Sequence, residues 1–351
     1  LQTDKSLKSF KDVQSENGDK EDYFKVWKET YQQDYATSGI FESDIDAYTV
    51  GKNKFTVDDL EEVDNDSIQK KYHEFATILR QHNVGSHENA FDKLINLFLA
   101  KIVDETINPS ELQFYWKGAA YDDYYSLQDR LQKLYKEGME KFLGEQVTYI
   151  DQKQVSDAFH LFKNDPDATK RTVLNYFKQL KFYTNSDFAF LDVHNEELFY
   201  QNAVILKKIV KMLEDIKLKT KEQNQFLGDL FEGFLDDGVK QSEGQFFTPL
   251  PIVKFLVSSL PLEEIIRDNS EIPKAIDYAC GAGHFLTEYA SAIKEYIEKY
   301  KKTPVSEYYK EIYGIEKEYR LSKVSKVSAF MYGQDDIQII YADALANNAR
   351  I

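Results

Sequence analysis

The chain has 351 residues, of which 42% are hydrophobic and 14% aromatic. This length exceeds what one hydrophobic core usually organises, and the apolar content excludes a disordered chain, so we expect two folded units. The formal net charge of −16 argues against a protein that wraps nucleic acid by itself, because Lys and Arg supply most of the non-specific affinity for phosphate. A single Cys excludes a disulfide framework, and no apolar run reaches the ~18 residues of a membrane span. The composition therefore predicts a soluble, cytoplasmic protein.

Both ends of the chain look like internal positions of a longer polypeptide. The chain begins with Leu1 rather than Met and stops at Ile351, shortly after a strand-like run. We therefore expect a segment of a larger protein. Residues 1–65 are polar and acidic, and we interpret them as a loosely packed extension that ends in a solvated linker.

A helical period dominates residues 66–240. Between Asn89 and Glu105, apolar residues recur at i, i+3, i+4 and i+7, which predicts a helix with one face in the core. A second such helix is predicted from Leu127 to Leu143, with Gly144 as its C-terminal stop. Further helical stretches are predicted at Val155–Phe162, Thr172–Phe182, Glu196–Ile216 and Asn224–Leu235. The pattern predicts a helical domain of roughly six helices.

A Lys-rich segment lies near the end of this helical domain. Its members are Lys207, Lys208, Lys211, Lys217, Lys219 and Lys221. These lysines could form a DNA-facing stripe, but their acidic neighbours favour an ordinary solvated helix face.

After Lys240 short apolar runs alternate with helical stretches. The runs predict strands at Lys274–Asp277, Glu311–Glu316 and Ile337–Tyr341. The helices are predicted at Pro251–Leu260, His284–Tyr300 and Tyr319–Met331. Strands that alternate with helices indicate crossover connections and a parallel sheet.

The first predicted strand runs into a glycine-rich turn. Gly281 and Gly283 permit a tight strand-to-helix turn and let the backbone approach a ligand closely. Asp277 at the strand end could accept a hydrogen bond from the cationic amine of that ligand. Glycines that serve only the turn are the alternative interpretation.

Two more acids follow the next two strands. Glu316 stands where it could bind the two ribose hydroxyls of a nucleoside, and Asp343 where it could accept from an adenine amino group. An ordinary charged strand terminus is the alternative for each acid taken alone. Three successive strands that each end in an acid nevertheless indicate a ligand site, because parallel folds bind ligands beyond the carboxyl ends of their strands.

An upstream segment, Gly244–Pro249, is the last element of the pattern. Thr248 followed by Pro249 predicts a helix start, with the Thr248 hydroxyl capping free amides. These amides could serve only the cap, or they could receive a carboxylate of the ligand.

GQFFTP, DYACGAGHF, YGIE and ADAL occur in this order along the chain. With this set the chain resembles the N6-adenine DNA methyltransferase family, specifically the modification subunit of type I restriction-modification systems and related fused restriction-methylase polypeptides. The upstream stretches FDKLINLFLAKIVDE and FLGDLFEGFLDDGVKQSEGQFFTP extend the resemblance back to about Lys70. It implies an α plus α/β fold, in which an N-terminal helical domain precedes the first half of a Rossmann-like methyltransferase domain over residues 241–351.

The resemblance implies S-adenosyl-L-methionine as the cofactor and assigns residues to its parts. The methionine end would be bound by Gln245, Phe246, Phe247, Thr248 and Pro249. The main cofactor loop would consist of Asp277, Ala279, Cys280, Gly281 and Gly283. Glu316 would bind the ribose, and Asp343 with Ala344 the adenine ring. Tyr278 departs from the family, because many members have Pro there, and this puts the rigidity of the loop in doubt.

The catalytic signature of the family is Asn-Pro-Pro followed by an aromatic residue, which holds the flipped adenine. No prolines follow Asn347 and Asn348, so we expect the signature beyond Ile351, no catalytic residue within this chain and no turnover by it. The implied partners are double-stranded DNA, a DNA-specificity subunit or domain, and a restriction subunit or fused nuclease.

Two other functions remain as alternatives. A nicotinamide-dependent oxidoreductase shares the glycine turn and the strand-end acid, but Leu286 stands at the third glycine position, and Glu316 lies farther along than the ~20 residues usual in that fingerprint. The chain could also be a helical assembly module with a cofactor-binding pseudoenzyme domain. The six histidines show no metal-ligand spacing, so no metal site is predicted.

Overall fold

The computed structural model describes Asp22 and residues 55–62, 65–85, 87–118, 121–150, 167–219 and 248–346. The helices predicted at Val155–Phe162 and Asn224–Leu235 lie outside these residues, as does most of the predicted extension. We refer to the described residues 55–219 as the helical region and to 248–346 as the α/β region.

The helical region consists of five α-helices and two very short strands within the described residues. They are β1 (Glu61–Glu62), α1 (Asn65–Gln81), α2 (His87–Ile107), α3 (Tyr124–Gly138), α4 (Asp167–Lys178), α5 (Glu196–Leu213) and β2 (Ile216–Lys217). The α/β region continues with α6 (Leu250–Ser258), α7 (Leu262–Asp268), β3 (Ala275–Asp277), α8 (His284–Tyr300), α9 (Val305–Tyr309), β4 (Ile312–Glu316), α10 (Tyr319–Met331) and β5 (Gln338–Tyr341). The molecule is therefore rich in helix, with two small parallel sheets.

Helix α2 is the centre of the helical region. The seven apolar residues that carry the predicted period are all buried: Phe91, Leu94, Ile95, Phe98, Leu99, Ile102 and Val103. Asn96, Lys101, Asp104 and Glu105 on the rest of the helix are buried too. The prediction of a single core face is therefore too narrow, because neighbouring elements cover α2 on several sides. Neither α2 nor any other described helix combines the length and apolar character that crossing a membrane requires.

Two of the predicted helices end in a wider turn. Helix α3 continues as a π-helical turn over Met139–Leu143, and Gly144 then ends it in the left-handed conformation at φ +67°, as predicted. Helix α4 continues in the same way over Gln179–Tyr183. A π turn inserts one residue into the hydrogen-bond ladder, which the sequence period does not reveal.

Helix α5 is shorter than the sequence indicates. It ends at Leu213, and Ile216 belongs to β2, which pairs in parallel with β1. The amide of Glu61 also donates to the carbonyl of Asp215 at 2.8 Å. These bonds attach the end of the predicted extension to the helical region.

The Lys-rich segment is not a solvated helix face. Lys207 is buried, with its ammonium 5.3 Å from the centre of the Trp116 ring and 5.8 Å from that of Tyr124. Lys208 lies 3.1 Å from the His82 ring nitrogen. Lys207, Lys208 and Lys219 therefore contact other parts of the helical region or α10, while Lys221 lies outside the described residues.

The α/β region is built on a parallel sheet of three strands in the order β3-β4-β5. All three predicted strands are confirmed with slightly shorter bounds. Helices α8 and α10 have the predicted bounds, and α6 is displaced toward the N-terminus by one residue at its start and two at its end.

Helix α10 contributes residues to the apolar cores of both regions. Its residues Leu321, Val324, Val327 and Phe330 pack in the core of the helical region, whereas Ala329 packs in the core of the α/β region. Its serines Ser322, Ser325 and Ser328 are buried, and the glycine turn approaches the helix closely at Ser325. The two regions are therefore joined along a continuous apolar interface.

Candidate functional site

The three predicted acids lie at one edge of the sheet. Asp277 is the last residue of β3, Glu316 is the last residue of β4, and Asp343 lies two residues after the end of β5. The register pairs Asp277 with Gly314 and Glu316 with Tyr341, so the carboxyl ends of the strands meet at this edge. Ligand sites of parallel folds lie at this edge.

The glycine turn after β3 requires both of its glycines for different reasons. Gly281 and Gly283 adopt φ values of +55° and +84°, which side chains disfavour. A Cβ atom on Gly283 would lie 2.2 Å from the Ser325 Oγ and 3.5 Å from its Cα, so the turn can pack against α10 only with glycine there. A Cβ atom on Gly281 would meet no protein atom within 4 Å, so space beside this part of the turn is open.

Hydrogen bonds hold this turn against the second strand. The amide of Cys280 donates to the Ile315 carbonyl at 3.0 Å, and the amide of Gly283 donates to the Cys280 carbonyl at 2.7 Å. The amide of Gly281 donates to the Glu316 Oε2 at 2.9 Å. The turn is thus tied to β4 by both backbone and side chain.

Glu316 is more enclosed than its predicted role at a strand tip suggests. Glu316 is only 8% exposed to solvent. Besides the bond from Gly281, its Oε1 accepts from the amide of Glu318 at 2.9 Å. A carboxylate offers about four acceptor positions, so about two remain for a ligand. Glu316 is therefore a structural tie of the turn as well as a candidate ligand group.

Asp277 and Asp343 form only local bonds. The Asp277 Oδ1 accepts from the amide of Ala279 at 3.0 Å, and the Asp343 Oδ1 accepts from the amide of Leu345 at 2.9 Å. Asp277 is half-buried and Asp343 is exposed, while Ala344 beside it is half-buried. Bonds of this kind, from the amide two positions ahead, fix the direction of the side chain.

The predicted cap at Thr248 is wrong. Helix α6 begins at Leu250 with Pro249 as its N-cap residue, and no side chain caps it. The Pro249 carbonyl accepts from the amides of Ile252 and Val253. Pro249, not Thr248, therefore occupies the N-cap position, and its side chain has no group that could accept from the free amides. Gln245, Phe246 and Phe247 lie outside the described residues.

His284 is a contact of the turn that the sequence did not single out. It is the first residue of α8, and its ring donates a hydrogen bond to the backbone of Thr248. Burial lowers the pKa of His284, which this bond partly opposes. The bond joins segments that are distant in sequence, so no local pattern could have indicated it.

Cys280 and Gly314 fill the space beneath the turn. Burial is the main cause that raises the pKa of the Cys280 thiol to about 12, so this Cys is a packing residue rather than a nucleophile. A Cβ atom on Gly314 would lie 2.6 Å from the Leu286 Cδ1 and 2.9 Å from the Cys280 Sγ. A glycine inside a strand is the sequence signal for such a close approach.

A cleft of about 500 Å³ opens beside β3. It contacts Asp277, Tyr278 and Ala279 and is otherwise lined by apolar or aromatic residues of β3, of α8 and of the end of α6 and the turn after it, among them Val257 and Tyr289. The cleft does not include Glu316 or Asp343. The predicted site residues therefore lie on neighbouring strand ends and loops and do not line one enclosed cavity. Within the described ranges no three His, Cys, Asp or Glu side chains are grouped as a metal site would need.

Comparison with known proteins identifies part of the chain. Residues 222–351 match the family model described as N-6 DNA Methylase. No curated protein matches the chain. A similar solved structure, with 15% identity and a TM-score of 0.38, is titled "Crystal structure of a modification subunit of a putative type I restriction enzyme from Vibrio vulnificus YJ016". The aligned part covers 84% of this chain and 57% of that protein, so the chain spans little more than half its length. The family match covers residues 222–351, in which all four motifs lie, and so agrees with the resemblance drawn from them.

Proposed function

We propose that residues 241–351 form the donor-binding part of a site-specific methyltransferase that transfers a methyl group from S-adenosyl-L-methionine to adenine N6 in DNA. The observation that carries this proposal is the bond between Glu316 and the amide of Gly281, which joins a strand-end acid to an open glycine turn. Two further acids lie at the same sheet edge, in a region that matches the family. The division into an extension (1–65), a helical domain (66–240) and a methyltransferase domain is part of the proposal.

The functional groups of S-adenosyl-L-methionine match these residues chemically. Its ribose offers two hydroxyl donors, and Glu316 has about two acceptor positions left after its bonds to Gly281 and Glu318. Asp277 would accept hydrogen bonds from its ammonium group. Its adenine amino group would be accepted by Asp343, with Ala344 beside the ring. The open space beside Gly281 leaves room for the bound S-adenosyl-L-methionine.

The methionine carboxylate is assigned to the neighbourhood of Thr248 and the N-terminus of α8. Gly283 precedes α8 and, having no side chain, leaves the first amides of this 17-residue helix without a side-chain cap. Free amides and the helix dipole favour an anion at such a place. We include Gln245, Phe246, Phe247 and Pro249 in this end of the site.

The bound donor would supply an electrophilic methyl group, and the residues of this chain would orient it. Direct displacement needs alignment of the acceptor nitrogen with the methyl group, so positioning accounts for most of the rate. The 351 residues contain no Asn-Pro-Pro-aromatic signature to hold the adenine. We therefore expect these residues to bind the donor without transferring its methyl group.

The net charge of −16 suggests how DNA would be held. A strongly acidic chain gains little from phosphate contacts, so we propose that a DNA-specificity subunit or domain supplies the main contacts to double-stranded DNA. The helical region would dock that partner, and a restriction subunit or fused nuclease would complete the system. A single Cys is compatible with the reducing environment of the cytoplasm, where we place this system.

Calorimetric titration tests the reaction class. We expect S-adenosylmethionine to bind with a dissociation constant in the range of about 1 μM to 1 mM that is usual for enzyme substrates, and NAD to give no heat of binding. The residue at the third position of the nucleotide fingerprint, Leu286, is buried and contacts the strand glycine Gly314, so it cannot give a pyrophosphate the access that glycine would. Binding of NAD without binding of the methyl donor would overturn the proposal in favour of an oxidoreductase.

A further inference from the structure

Two exposed tyrosines lie beside the acids assigned to the nucleoside end of the site. Tyr341 is the last residue of β5, is the register partner of Glu316 and stands two positions before Asp343. Side chains at paired positions of parallel strands point to the same face of the sheet, so the Tyr341 ring is on the face that carries the Glu316 carboxylate. Tyr319 begins α10, three positions after Glu316. The centres of the two tyrosine rings are 5.5 Å apart.

This tyrosine pair leaves aromatic surface uncovered. The planes of the two rings are inclined by 78°, so one ring presents its edge to the other. In such a pair each ring keeps at least one face that its partner does not cover. Tyr341 is 57% exposed to solvent and Tyr319 42%. A flat apolar face beside two acceptor groups suits a purine base, because bases stack on aromatic rings.

Tyr319 is held from the helical region. Its hydroxyl donates to the Glu145 Oε2 at 3.0 Å, and the Glu145 Oε1 lies 3.7 Å from the ammonium of Lys326 in α10. Glu145 follows the left-handed Gly144, and its amide donates to the Met139 carbonyl at 2.9 Å, which fixes the backbone there. Partial burial, and after it the bond to Glu145, raises the pKa of Tyr319 to about 12, so its hydroxyl stays a donor at neutral pH. Tyr319 is therefore a fixed support for the Tyr341 ring.

We infer that Tyr341 is an aromatic contact for the adenine base of the methyl donor, and that Tyr319 is a positioning residue that sets the orientation of the Tyr341 ring. This inference rests on the proposed function, because it deepens the assignment of the nucleoside end. Glu316 and Asp343 offer acceptors for hydroxyl and amino groups, whereas the ring offers apolar contact area that neither acid supplies. The base would lie against the free face of Tyr341 with its amino group toward Asp343.

Calorimetric titration of the full chain tests the contact with two ligands, S-adenosylmethionine and 5′-methylthioadenosine, which carries the base but lacks the amino-acid group. For Tyr341→Leu we expect both affinities to fall about fivefold to tenfold, because stacking on the base is lost. Tyr341→Phe keeps the ring, so both affinities should stay within about twofold of wild type. Tyr313→Leu is the matched control and should change neither affinity, because Tyr313 of β4 lies three positions before Glu316 and hence on the opposite face of the sheet.

Tyr319→Leu tests the positioning role. Loss of the edge contact leaves the Tyr341 ring less well oriented, so both affinities should fall about twofold to threefold. In the Tyr341→Leu background the same substitution should cause no further loss, because no ring remains to be oriented. A loss that persists in that background would overturn the positioning role of Tyr319.

Tyr341→Trp supplies the comparison if Tyr341→Leu does not fold, which thermal unfolding would show. A base stacked on the introduced indole should quench its fluorescence when 5′-methylthioadenosine is added, relative to wild type. Undiminished affinities in a folded Tyr341→Leu, equal losses for Tyr341→Leu and Tyr341→Phe, a loss for S-adenosylmethionine alone, or no quenching in Tyr341→Trp would overturn the contact while the proposed function stands. A wild-type chain that binds no S-adenosylmethionine would overturn both.

Discussion

The helical region and the α/β region use the same chemical group, a carboxylate, in opposite ways. In the helical region Glu105 is buried and accepts from the amides of Leu218 and Lys219, which are more than a hundred positions away in the chain. In the α/β region the Asp277 and Asp343 side chains each accept from an amide two positions ahead, and Asp343 is exposed. We expect a buried carboxylate that accepts from distant amides to serve the fold, and a carboxylate held by a local turn to be available to a ligand.

Glu316 combines both uses. It is nearly buried, and its bond to Gly281 spans 35 positions, as in the helical region. It also ends a strand at the candidate site, as Asp277 does. The comparison therefore predicts that substitutions in the helical region act on stability, that substitutions at Asp277 and Asp343 act on binding, and that Glu316 affects both.

The largest effect is expected in the helical region at Glu105. Glu105→Ala would leave the buried ammonium of Lys101, now 3.3 Å from the Glu105 Oε1, without its carboxylate. It would also remove the acceptor of two buried amides. We expect the free energy of unfolding to fall by about 3–5 kcal/mol, measured by urea denaturation.

Glu140→Ala is the matched control for Glu105→Ala. Glu140 pairs with Lys136 at the same helical spacing, with 3.8 Å between the charged atoms, but both side chains are well exposed. Its substitution should cost at most about 0.5 kcal/mol. Equal losses for the two variants would show that burial does not distinguish the two kinds of carboxylate.

The next effect concerns the glycine turn and its contact with α10. Gly283→Ala should cost about 1–2 kcal/mol for the left-handed backbone and a further amount of about 1–3 kcal/mol for the overlap with Ser325. Gly144→Ala has the same backbone requirement at φ +67°, and its Cβ would meet nothing within 4 Å. Urea denaturation should therefore show a larger loss of unfolding free energy for Gly283→Ala than for Gly144→Ala. Equal losses would show that the overlap with Ser325 adds no cost.

A smaller, pH-dependent effect is expected where the two regions meet. Lys323 of α10 donates to Tyr135 of α3 at 3.0 Å and to Asn96 of α2. Burial lowers its pKa to about 8 from an ordinary value of 10.5, although Asp187, Glu145 and Asp92 oppose this. Between these two values the unfolded chain binds more protons than the folded one, so stability gained from Lys323 rises with pH.

Lys323→Met removes this titration. From pH 7.5 to 9.5 the wild-type chain should gain about 1–2 kcal/mol of unfolding free energy relative to Lys323→Met. Urea denaturation at the two pH values measures the difference. A difference that stays constant or shrinks would show that the ammonium is not desolvated at this interface.

The sequence predicted the elements whose residues repeat locally. The bounds of α8 and α10 and the stop at Gly144 followed from apolar spacing and a helix-ending glycine. The burial of Lys207 could not be predicted in this way, because its aromatic neighbours Trp116 and Tyr124 come from distant parts of the chain. The two-residue strand Glu61–Glu62 was also missed, since a pair of exposed acids carries no strand pattern.

The same limit applies to the site. The acids at the strand ends were predictable, because each follows an apolar run of its own. The bond from Gly281 to Glu316 and the bond from His284 to Thr248 were not, since each depends on how separate segments pack. The misplaced cap at Thr248 has a local cause: Pro at the position after a hydroxyl residue indicates a helix start, but the helix begins one residue later.

The most direct test of the account compares two glutamates of the same strand segment. Glu316 ends β4 at the candidate site, whereas Glu311 precedes β4 at the opposite edge, where it pairs with Lys274 at 3.7 Å. Calorimetric titration of S-adenosylmethionine should show about a tenfold loss of affinity for Glu316→Gln, because the amide offers fewer acceptors, and no loss for Glu311→Gln. Undiminished binding by a folded Glu316→Gln would contradict the claim that this sheet edge holds the methyl donor.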